Sequence, residues 1–98
     1  MTTYNVVRFR VKEGMDQAFL DAHRDRKAAW PGLTRASIIK TGEQTYVLIG
    51  EWPDMTTLAS ARKQMIATLG TFRHSLEELG PGLGVTDAVS GDVVLALT

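Results

Sequence analysis

Two side chains in this sequence place polar chemistry where the surrounding pattern is apolar. In "YNVVRFRV", residues 4 to 11, Asn5, Val7, Phe9 and Val11 alternate with Tyr4, Val6, Arg8 and Arg10, so Asn5 shares one strand face with apolar residues. An amide on such a face needs hydrogen bonds, from neighbouring backbone or from a ligand. Arg62 lies four residues from Leu58 and Ile66 and three from Ala59 and Met65, on an otherwise apolar helical stripe. A buried guanidinium without a partner is expensive. That leaves a wet cavity holding a carboxylate or an anionic ligand, or a stem that passes the core and releases its head to water.

The histidines come next, because imidazole is the side chain that exchanges protons near neutral pH. His23 follows Phe19 by four residues and precedes Trp30 by seven, at the border of an apolar stripe. It is either a general base or a partly exposed helix residue. His74 falls on the side opposite Leu76 and Leu79 and is expected in water. The two histidines are far apart with no carboxylate at ligand spacing, so a dedicated zinc or iron site finds no support. With no cysteine in the chain, thiolate nucleophiles and disulfides are excluded. "GPGLG", residues 80 to 84, lacks the lysine and the strand-loop-helix setting of a phosphate loop and reads as a turn. No G-x-S-x-G elbow and no carboxylate pair supports a hydrolase.

These residues need a scaffold, and 98 residues provide one domain, 1–98. The chain is 44% hydrophobic and 22% charged, as a folded globular protein should be. Eleven basic and eleven acidic side chains cancel, and no Lys/Arg block exceeds the mixed "HRDRK" at 23–27, which argues against nucleic acid as a partner. No apolar run is long enough to cross a bilayer or serve as a signal segment, so a cytoplasmic location with no membrane partner is expected.

The first strand leads through "KEG" into a predicted helix over 15–30, with Met15, Ala18, Phe19, Ala22, Ala29 and Trp30 recurring at helical spacing and "PG" at 31–32 closing it. "LTRASIIK" and "TYVLIGEW" read as a hairpin around "TGEQ", a short loop whose Gly42 can take positive φ. Tyr46, Leu48, Gly50 and Trp52 share one face of the second hairpin strand and Val47 and Ile49 the other. Neither face is built for water, so a partner is expected on the second. Met55, Leu58, Ala59, Arg62, Met65, Ile66 and Leu69 form the next helical stripe, interrupted by Gly70, and Phe72, Leu76 and Leu79 suggest a shorter helix. The tail offers strands near 85–89 and 93–97, split by Ser90, Gly91 and Asp92. The fold class is therefore α+β, a ferredoxin-like split β-α-β arrangement with a four-stranded antiparallel sheet and two helices on one face.

"VVRFRVKEGMDQAFLDAH" and "YVLIGEWPDMTTLASA" resemble the opening strand, turn and first helix, and then the tryptophan-ended strand and second helix, of the antibiotic biosynthesis monooxygenase family within the dimeric α+β barrel superfamily. The resemblance covers nearly the whole chain. It implies a homodimer whose sheets close back to back, with a pocket in each subunit between sheet and helices. Some members oxidise anthrones or quinols with molecular oxygen and neither metal nor flavin, and a related branch degrades haem. Asn5 matches a first-strand asparagine that lines the pocket in several of these enzymes, and Trp52 the tryptophan common at the third strand's end. Haem-degrading members carry a second tryptophan where this chain has Ser60, so no haem is implied.

The expected activity is a cofactor-independent monooxygenase acting on an electron-rich aromatic. Asn5 would bond a substrate oxygen, Arg62 would stabilise its negative charge and His23 would be the base, with Trp52, Tyr46 and Phe9 as substrate contacts. A binding or stress-related barrel that turns nothing over, or a cofactor-free isomerase, would use the same pocket.

Overall fold

The computed structural model describes residues 1–24, 26, 29–82 and 84–98. Strand β1 (Thr3–Val11) alternates as its sequence does: Thr3, Asn5, Phe9 and Val11 are buried, while Tyr4 and Arg8 are exposed. Helix α1 spans Asp16–Asp21, β2 Arg35–Gly42, β3 Thr45–Trp52 and α2 Met55–Phe72. A single 3-10 turn, Arg73–Ser75, then leads to β4 (Leu76–Glu77) and β5 (Asp87–Asp92).

All strand pairs are antiparallel, in the order β2-β3-β1-β4 with β5 also on β1. Strands β4 and β5 share one edge of β1, the first beside Arg10 and Val11 and the second beside residues 3–8. This is the expected split β-α-β sheet, with its fourth strand in two pieces. Phe9, Val11, Tyr46, Leu48 and Trp52 from the sheet pack against Phe19, Leu58, Ala61 and Phe72 from the helices. The opposite sheet face carries half-buried Val6, Val47 and Ile49 beside exposed Ile39 and Val89.

Four local expectations give way. The first helix ends at Asp21; residues 22–24, 26 and 29 are in turns and Trp30 in a bend, and Asp25, Lys27 and Ala28 of the expected helix lie outside the described residues. Side chains take the carbonyls that a longer helix would use: His23 Nδ1 bonds Phe19 O at 2.9 Å and Arg26 Nε donates to Ala22 O at 2.7 Å. Gly70 does not interrupt α2, which runs on because Phe72 is anchored in the core. The stretch after it forms the 3-10 turn and β4, not a helix, and puts His74 in water. In the tail, β5 runs through Ser90, Gly91 and Asp92, and residues 93–97 form no strand. The β1 ladder supplies their partners, and its end is tied by Thr3 Oγ1 donating to Asp92 Oδ1 at 2.5 Å and Val93 N to Thr2 O at 2.8 Å.

The β2–β3 turn places Gln44, not Gly42, at positive φ, 58°. A non-glycine residue there costs on the order of 1 kcal/mol. Two bonds to one residue offset it: Val11 N donates to Gln44 O at 2.7 Å, and Gln44 Nε2 donates to Val11 O at 2.8 Å.

Candidate active site

A cavity of about 290 Å³ opens between the helix-facing side of the sheet and the inner face of α2. Its wall is mostly apolar: Val7, Phe9 and Leu48 from the sheet, Trp30 from the loop after α1, and Leu58, Met65, Leu69 and Phe72 from α2. Asn5, His23, Arg62 and Thr68 bring polar groups to it, with Thr86 and Ser90 from the β5 side. Four of the six residues expected to form a site, Asn5, Phe9, His23 and Arg62, thus line one space.

Asn5 is only 8% exposed. Its Oδ1 accepts a 2.7 Å hydrogen bond from Trp52 Nε1. An indole nitrogen only donates, so it must meet the amide oxygen and not the amide nitrogen. Among the described residues no fully buried side-chain nitrogen or oxygen lacks a partner, and the Asn5 amide nitrogen makes no bond to protein. It therefore faces the cavity as a free donor.

Gly50 makes this arrangement possible. It pairs with Asn5 across the ladder, and a Cβ at position 50 would lie 2.3 Å from Asn5 Oδ1 and 3.1 Å from Trp52 Nε1. A glycine inside a central strand was the available sequence signal for close approach.

His23 is half-buried in a box of rings. Its centroid lies 4.5 Å from Phe72, 4.8 Å from Phe19, 6.0 Å from Phe9 and 6.5 Å from Trp30. A carbonyl can only accept, so the bond to Phe19 O puts the proton on Nδ1 and leaves Nε2 with its lone pair. Burial lowers the imidazole pKa; the bond to the Phe19 carbonyl opposes this in part, and the positive charge of Arg26 adds a smaller lowering. The ring is held as the neutral base at pH 7.

Arg62 does not sit in the core stripe. The buried side of α2 is Leu58, Ala61, Thr68 and Phe72, and Ala59, Arg62 and Ile66 are exposed. The stripe is rotated because Thr68 is needed inside: Trp30 Nε1 donates to Thr68 Oγ1 at 3.0 Å, and that hydroxyl donates to Gln64 O at 3.0 Å. Exposed and still lining the cavity, Arg62 stands at its rim, without an ion pair or hydrogen bond among the described residues. Both readings of its sequence position hold in part: the stem borders the cavity and the residue reaches water.

Trp52 and Tyr46 are corrections to the expected contacts. Trp52 is fully buried behind Asn5 and does not line the cavity. Tyr46 is buried against Phe19, and its hydroxyl donates to Asp16 Oδ2 at 2.5 Å, a bond that with burial raises the phenol pKa. It ties β3 to α1 and does not reach the cavity. Trp30, Thr68 and Phe72 line the site without having been singled out; their helical and loop spacing looks the same as that of ordinary core residues.

No three histidine or carboxylate side chains among the described residues gather as metal ligands. No helix among them is long and apolar enough to cross a membrane.

No family model matches the sequence, and no curated protein does. Among solved structures the chain is similar to SnoaB of Streptomyces nogalater, a cofactor-independent oxygenase: TM-score 0.75, 18% identity, 98% of this chain and 96% of that one covered. A candidate antibiotic biosynthesis monooxygenase of Nitrosomonas europaea superposes with TM-score 0.74 at 17% identity, over 95% of this chain and 90% of that one. A nipsnap family protein of unknown function from Agrobacterium tumefaciens superposes with TM-score 0.61 at 18% identity, over 92% of this chain and 86% of that one. The chain has the fold of the antibiotic biosynthesis monooxygenase proteins.

Proposed function

We propose that this protein is a cofactor-independent oxygenase that takes a flat, electron-rich aromatic ketone or phenol of the anthrone or quinol type into the cavity beside Asn5. The observation that carries the proposal is one apolar, ring-lined space holding a free amide donor, a neutral imidazole and an unpaired rim cation. The fold shared with SnoaB supports it.

For an anthrone the chemistry balances as follows. His23 Nε2 removes a proton from the activated methylene, and the Asn5 amide and Arg62 stabilise the enolate oxygen. The enolate passes one electron to molecular oxygen, the resulting radical pair forms a C–O bond, and His23 returns the proton to the peroxide. Loss of water then leaves a quinone carbonyl: one O2 is consumed, one oxygen atom enters the product and the other leaves as water. The protein's part is to deprotonate, orient and exclude bulk water.

The same reading includes a homodimer joined through the sheet face that carries Val6, Ile39, Val47, Ile49 and Val89, and a cytoplasmic setting.

Oxygen uptake tests the activity, with anthrones as substrates and a metal chelator present. The wild type should consume one O2 per quinone formed. Arg62→Met should lower kcat/KM about tenfold, the scale of one charge-assisted hydrogen bond at a rim partly screened by water, and leave the fold intact. Ligand binding without oxygen uptake would make the protein a binding barrel; solvent deuterium exchange into the substrate without uptake would make it an isomerase.

A further inference from the structure

Asn5 is a buried polar side chain that lines the cavity, and what it can recognise depends on which end of its amide faces in. The oxygen and nitrogen of a carboxamide have nearly the same shape and opposite hydrogen-bonding character. An unconstrained asparagine could turn either end to a ligand. Here the choice is made from behind by Trp52, whose indole N–H donates to Oδ1 at 2.7 Å with both residues buried. Flipping the amide would set its N–H2 against the indole N–H, two donors face to face in a space closed to water. The absent side chain at Gly50 keeps the amide in this place, since a methyl there would overlap Oδ1 at 2.3 Å.

We propose that Trp52 and Gly50 are positioning residues that hold Asn5 with its N–H2 in the cavity, so that the site selects ligands by a hydrogen-bond acceptor. A ketone or an oxyanion oxygen on the flat ring system is bound there; the same rings without an acceptor are not favoured. The inference rests on the cavity being the ligand site proposed above, and it concerns binding alone. Neither residue touches the ligand. Each acts through Asn5.

Two tricyclic probes separate the effect of the acceptor from that of the rings: fluorenone, which carries a carbonyl, and fluorene, which has a methylene in its place. Binding is measured by titration calorimetry on the wild type and on Asn5→Asp, Trp52→Phe and Gly50→Ala, with circular dichroism to confirm folding. The wild type should prefer fluorenone about tenfold, the worth of one buried hydrogen bond. Asn5→Asp keeps the oxygen that accepts from Trp52 and replaces the donor. At about pH 9, well above the ordinary carboxyl range, it should lose the preference while binding fluorene as before. Trp52→Phe removes the orienting N–H together with part of the buried indole's volume, and Gly50→Ala removes no polar group; both should cut the preference at least threefold with fluorene affinity unchanged.

Full fluorenone preference in folded Trp52→Phe and Gly50→Ala would overturn the positioning roles. Equal binding of the two probes by the wild type, or binding of neither, would overturn the acceptor selectivity. Preference for fluorenone in a protein that consumes no oxygen with any anthrone would uphold the inference and reject the oxygenase reading.

Discussion

His23 shows how a single side chain is tuned by what surrounds it. Four rings strip water from the imidazole, and the pKa falls below its ordinary value of 6.5 because the charged form loses most by burial. The unfolded chain therefore binds the proton more readily than the folded one. The neutral ring's contribution to stability is complete above the unfolded value and is lost as pH falls through the lowered folded value. Thermal unfolding followed from about pH 7 to pH 5 should show a decline in the wild type that His23→Phe flattens. The same replacement should reduce oxygen uptake by a factor of about 10² to 10⁴, the usual range for loss of a general base. If its uptake stayed within twofold of wild type, the base would have to be another group. Asn5 could be picked out from sequence because it interrupts an apolar strand face with an amide, and His23 because an imidazole borders an apolar stripe. The partner of Trp52 could not, since an indole N–H finds Asn5 only once the β1–β3 register sets Asn5 against Gly50. The rim position of Arg62, exposed and yet lining the cavity, was not legible for a related reason: Thr68 faces inward to a contact with Trp30 from a distant segment.

At the scale of elements, that contact is a clamp. Trp30, after α1, donates to Thr68 near the C-terminal end of α2, and both residues are buried. Thr68→Val keeps the shape and leaves the indole N–H without a partner, which should cost about 1–3 kcal/mol in urea denaturation. A loss below a few tenths of that would mean water reaches the indole and the clamp contributes nothing. The strands of the hairpin and β1 were legible from their alternation, and α2 from its periodicity; in the structure the Asp54 carboxylate accepts from Thr57 N at 2.7 Å and caps its start. The elements that went astray are those whose hydrogen bonds come from elsewhere. The α1 segment ends early because His23 and Arg26 side chains occupy its carbonyls, and β5 passes through Ser90, Gly91 and Asp92 because β1 offers them a ladder. Neither effect is written in local propensity.

For the whole molecule, the apolar sheet face turned away from the helices raises the question of a partner. Val6, Val47 and Ile49 lie between exposed Ile39 on one side and Val89, 64% exposed, on the other, and the tail beyond β5 leaves Leu97 88% exposed. The Tyr4–Glu51 and Arg8–Asp87 pairs lie on the same sheet face. Light scattering should give a dimer mass for the wild type and a monomer for Ile49→Lys, in which a charge would have to be buried in the interface. A wild-type monomer would leave the dimer without support. The sheet order and the split β-α-β topology were accessible from the order of elements alone, and they specify where a pocket forms. What the pocket does is carried by the few side chains inside it.

The central claim is that the cavity beside Asn5 delivers molecular oxygen into an aromatic substrate without help from a bound group. The most direct test is a single-turnover reaction of the chelator-treated protein with an anthrone under ¹⁸O2, followed by mass spectrometry of the product. The account predicts a quinone carrying one ¹⁸O atom, formed by the wild type and lost in Asn5→Asp and His23→Phe. Unlabelled product, or label that enters equally with and without the protein, would contradict it.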